Sequence, residues 1–62
     1  MNAESKRVGR INELSRLVGT CTAKGITDPV EIISIVRKRA YEMASKSTAE
    51  QYVKEVIRRF SK

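Results

Sequence analysis

A chain of 62 residues makes one domain at most, and a domain of that size buries only about 60% of the surface its unfolded chain exposes, which argues against an extensive core or a deep substrate cavity. Hydrophobic residues at 40% and charged residues at 32% suit a compact helical domain rather than a disordered tail. Thirteen basic residues against seven acidic ones leave a formal charge of +6, a field that favours DNA, RNA or an anionic membrane surface as partner, with solubility as the plainer explanation.

The first segment, about residues 4–24, places Val8, Ile11, Leu14, Leu17, Val18 and Cys21 at spacings of three and four, the pattern of an amphipathic helix. Gly9 and Gly19 weaken it, Gly19 is a candidate bend, and Gly25 is a natural stop because it tolerates positive φ. Its basic start, Lys6, Arg7 and Arg10, can act as an arm toward a phosphate backbone. Cys21 falls on the apolar side and reads as a small core residue.

In "TDPVE", Asp28 is placed to cap a second helix, Pro29 to occupy its first position, and Glu31 to close a capping box. This helix, about 29–44, carries a core stripe of Ile32, Ile33, Val36, Ala40, Met43 and Ala44. Arg37 and Arg39 flank the stripe and Lys38 points outward. Ile35, with Val30 and Tyr41 nearby, is a candidate contact for a second chain, or else is half-covered by the first helix.

Ser47 and Glu50 form a second S-x-x-E box, so the third helix is expected from Thr48 to Phe60. Ala49, Tyr52, Val53, Val56, Ile57 and Phe60 line one face, and burial of each large side chain is worth about 1.5–3 kcal/mol. The other face carries Gln51, Lys54, Glu55, Arg58 and Lys62, with Thr48 and Arg59 at its margin. Hydrogen-bonding groups come early and cations late, a layout that suits a helix entering a DNA major groove. The late cations also complement the helix dipole.

The run "AYEMASKSTAEQYVKEVIRR", Ala40 to Arg59, resembles the helix-turn-helix regions of small transcription regulators. The likeness rests on Ala40 inside the first helix, Ala44 near the turn, and the opening Ser47, Thr48 and Ala49 followed by Tyr52 and Val53. It implies that Thr48, Gln51, Lys54, Glu55 and Arg58 face the groove. The same segment also resembles a helix in the core-binding domain of tyrosine recombinases, although nothing in the chain supplies their catalytic domain.

The expectation is an all-α, three-helix, helix-turn-helix-like domain over residues 1–62 that binds double-stranded DNA, as a transcription regulator or chromatin-associated protein. RNA is the lesser nucleic-acid partner. The competing reading is a protein–protein interaction module or a small subunit of a larger assembly. A homodimer would place two third helices about 34–36 Å apart, in successive major grooves. The basic residues of the arm, of Arg37–Arg39 and of helix three would together neutralise about six phosphates, a log K against log salt slope of about −5. With no histidine, one cysteine, no phosphate loop and no nucleophile beside a base, neither an enzyme nor a metal or cofactor site is expected. No signal-like run and no membrane-length apolar stretch is present, so the expected location is cytoplasmic, nucleoid-associated if DNA is bound.

Overall fold

The computed structural model describes residues 3–61, with side chains from residue 5. It contains three helices, α1 Ala3–Ala23, α2 Pro29–Met43 and α3 Lys46–Phe60, packed into a body of 36 × 21 × 18 Å. All pairs of helices touch. The core joins Ile11 and Leu14 of α1, Val36 and Ala40 of α2, and Ala49, Tyr52, Val53 and Val56 of α3. As the stripe count predicts, α3 is the main contributor.

α1 runs without interruption through Gly9 and Gly19, so Gly19 marks no bend. It ends in a Schellman arrangement: Ile26 N–H donates to the Cys21 carbonyl at 3.0 Å and Gly25 N–H to the Thr22 carbonyl at 3.0 Å. Gly25 has φ +89°, a conformation in which a side chain is strained, and the two bonds satisfy carbonyls that the helix end would leave unpaired. Val8 does not join the core and stands exposed.

The α2 start follows the sequence at Asp28 and Pro29, while Glu31 stays exposed in the first turn and does not close the expected capping box. Asp28 is the N-cap, its Oδ1 accepts from Val30 N–H at 3.0 Å, and Pro29 opens the helix. Asp28→Ala should lower stability by about 0.5–2 kcal/mol in denaturant unfolding, whereas Ser47→Ala should be close to neutral. Equal losses would show that the two serve the same capping role.

Ser47 is not a cap. α3 begins two residues earlier than expected, because Ser45 is extended and its carbonyl already accepts from Ala49 N–H at 2.8 Å. Ser45 makes no side-chain cap bond; its hydroxyl donates to Thr48 Oγ1 at 3.3 Å. Glu50 does not return to the helix start. Arg37 and Tyr41 of α2 hold it instead, and these tertiary partners displace the local box.

The contacts give the helix directions. Arg37 and Tyr41 meet Glu50 near the turn, while Pro29 and Ile33, far from it, share a groove with Ile57 and Phe60. α3 therefore returns alongside α2. Along α1, Arg10 reaches Tyr52 and Ser15 reaches Arg59, so α1 and α3 point the same way. Val18 of α1 lines one groove with Phe60 and Ser61, so α1 runs on by roughly one turn past the end of α3. Phe60 sits at this open end: it is 58% exposed although its azimuth falls on the apolar stripe.

Candidate nucleic-acid interface

Placing the buried residues Ala49, Tyr52, Val53 and Val56 inward sets Ser47, Gln51, Lys54 and Arg58 at the centre of the opposite face of α3. All four are exposed. They form one row, hydroxyl, amide, ammonium and guanidinium, along almost the whole helix. Ser47 is the member the sequence reading missed, because its role as a cap removed it from consideration. Lys46 is exposed at the same helix start. Arg58 has a loose tie, 3.9 Å to Glu55, with its side chain 83% exposed.

Thr48 and Glu55 are half-buried at the margin of this face rather than at its centre. Arg59 belongs to the bundle seam: its Nη1 donates to Asn12 Oδ1 at 2.9 Å and to Ser15 Oγ at 3.4 Å. Lys62 lies outside the described residues.

The two arginines that flank the α2 stripe mark the two seams of α2. Arg39 donates from Nε and Nη2 to Glu13 Oε2 of α1, at 3.0 and 2.8 Å, and from Nη1 to Glu42 at 3.2 Å. The two carboxylates hold it more firmly protonated than an ordinary arginine, the Glu13 hydrogen bond first. On the α3 side, Arg37 Nε is buried 3.2 Å from Glu50 Oε2, close enough to pair in charge but off the line of a hydrogen bond. Lys38 between them is exposed. On α1, Lys6 and Arg7 are exposed and Arg10 donates to the Tyr52 hydroxyl at 3.3 Å. Arg16 and Lys24, which the sequence reading left out, are exposed cations as well.

The basic set thus divides in two. Arg10, Arg37, Arg39 and Arg59 clamp helix to helix, using the several fixed donors of a guanidinium. Among the described residues the lysines, together with Arg7, Arg16 and Arg58, stand out in solvent.

At the α2–α3 seam Tyr41 donates its hydroxyl to Glu50. That hydrogen bond first, and the charge of Arg37 after it, hold the Glu50 carboxyl below the usual carboxylate range against the opposing effect of burial. The same bond holds the Tyr41 phenol above its ordinary value. A lowered carboxyl contributes stability that is present above its unfolded value and lost as the pH falls through the folded one. A raised phenol contributes stability that is present below its unfolded value and lost as the pH rises through the folded one. Glu50→Gln should therefore lower Tm most in the window between these ranges, and the deficit should shrink in acid and in strong base. A deficit independent of pH would remove the ionic part of this account.

Of the proposed chain-contact residues, Val30 is 73% exposed, Tyr41 is partly exposed with its hydroxyl on Glu50, and Ile35 is half-buried. No helix among the described residues is long and apolar enough to cross a membrane. No family model, curated protein or solved structure matches this chain.

Proposed function

We propose that the chain is a small double-stranded DNA-binding domain, a transcription regulator or chromatin-associated protein, that presents the outward row of α3 to the duplex. The observation that carries this reading is that Ser47, Gln51, Lys54 and Arg58 are exposed and aligned while the neighbouring guanidinium of Arg59 is held by α1. Charge placed on the surface and not absorbed by ion pairs remains available to phosphates. Gln51, the one amide in the row, is the candidate base reader, with Lys54, Arg58 and Lys46 on the backbone.

Titration of the protein with random duplex, single-stranded DNA and RNA at two salt concentrations tests the proposal. Binding should be tightest to duplex and weaken as salt rises. Absence of binding to all three overturns it; preference for RNA reassigns the partner.

A second reading, a protein-interaction module, is favoured by the apolar groove at the far end of α3, which the duplex reading leaves unused.

A further inference from the structure

Arg37 stands where α2 meets the outward row of α3. Its contact, Glu50, has Ser47 three residues before it and Lys54 four residues after it, and residues at those spacings are neighbours on a helix surface. The guanidinium therefore borders the middle of the row. The other three arginines that join helices, Arg10, Arg39 and Arg59, all lie at seams with α1.

The donors of Arg37 are unevenly spent. Nε is shut off from solvent against Glu50 Oε2, whereas the side chain as a whole is 43% exposed and neither Nη makes a hydrogen bond among the described residues. Arg39, by comparison, commits Nε and both Nη nitrogens to carboxylates. An arginine pinned at Nε still presents its Nη edge, a fork of donors whose spacing matches the oxygens of a phosphate. The pin is itself held, since Tyr41 donates its hydroxyl to the same Glu50 oxygen. Among the described residues Glu50 is the one carboxylate bonded across the α2–α3 seam, and Arg37 meets its charge. The exposed Lys54 beside it then sets a positive sign for the surface.

We propose that Arg37 is a phosphate clamp of the duplex site: Glu50 fixes the Nε edge, and the Nη nitrogens donate to the oxygens of one backbone phosphate beside the groove that α3 enters. The inference rests on the duplex reading above and adds α2 to the contact surface. Glu50 and Tyr41 act through Arg37, as positioning residues.

Titration of the full chain with random duplex DNA at two salt concentrations tests this on Arg37→Lys and Arg37→Ala, with circular dichroism of each variant checking that helicity is kept. Arg37→Lys keeps the charge and loses the fork, and should weaken binding about fivefold to tenfold. Arg37→Ala should also make the slope of log K against log salt shallower by about 0.9, the share of one phosphate. In a Glu50→Ala background the effect of Arg37→Lys should shrink to about twofold or less, because the fork is no longer held. Binding by Arg37→Lys within about twofold of the parent chain overturns the clamp. So does a slope that Arg37→Ala leaves unmoved, or an effect of Arg37→Lys undiminished without Glu50. In each of these cases a loss of binding on Lys54→Glu with Arg58→Glu keeps the duplex reading standing, whereas a parent chain that binds no duplex ends both.

Discussion

Leu14→Ala is expected to lower the unfolding free energy by about 2–5 kcal/mol, while Phe60→Ala, in dilute solution, lowers it by less than about 1 kcal/mol. Leu14 is 0% exposed and sits in the cluster where all three helices converge, so truncation leaves a cavity that its neighbours can only partly close. Phe60 is the larger side chain, but most of its surface already faces water. For a domain of 62 residues, whose total stability is only about 3–9 kcal/mol, the Leu14 loss is comparable with the whole. Urea unfolding followed by circular dichroism reads both values. The reverse order would mean that the step at the end of α3 is closed in solution and that Phe60 belongs to the core.

The double charge reversal Lys54→Glu with Arg58→Glu should weaken duplex binding about 100-fold or more while leaving helicity unchanged. Neither side chain is part of the helix contacts, and the 3.9 Å approach of Arg58 to Glu55 is an exposed pair of little energetic weight. Arg59→Ala is the informative contrast. Its guanidinium joins α3 to α1, so its loss should cost roughly 0.5–1.5 kcal/mol of stability and leave the salt dependence of binding unaltered. With Arg10, Arg37, Arg39 and Arg59 engaged in contacts between helices, fewer cations are free for phosphates than the sequence alone suggests. The slope of log K against log salt should accordingly be shallower than about −5. Unchanged affinity in the double reversal would leave the α3 row as a solvated face and remove the proposed function. A slope nearer −5 would mean that the clamping arginines release their carboxylates on binding.

Much of the architecture follows from local chemistry. The three-residue and four-residue spacings of apolar side chains mark all three helices. Asp28 with Pro29 and Gly25 sets two of the helix ends correctly, because capping and positive φ are decided within a few residues. The same local logic fails at Ser47: Arg37 and Tyr41, brought close only by folding, take Glu50 away from the helix start. Tertiary partners supplied the stronger alternative.

Charge shows the same division. Residue counts and helical angles place Arg37 and Arg39 at the flanks of α2, yet only the packed bundle puts Glu50 beside one and Glu13 beside the other. Composition determines that this chain carries +6, and periodicity determines which faces turn inward, since both depend on the residues alone. Which cations are clamped and which remain free, and that Phe60 stands at an open step, was decided by the tertiary structure. Those properties depend on how far each helix extends beside its neighbours, and no single helix contains that length comparison.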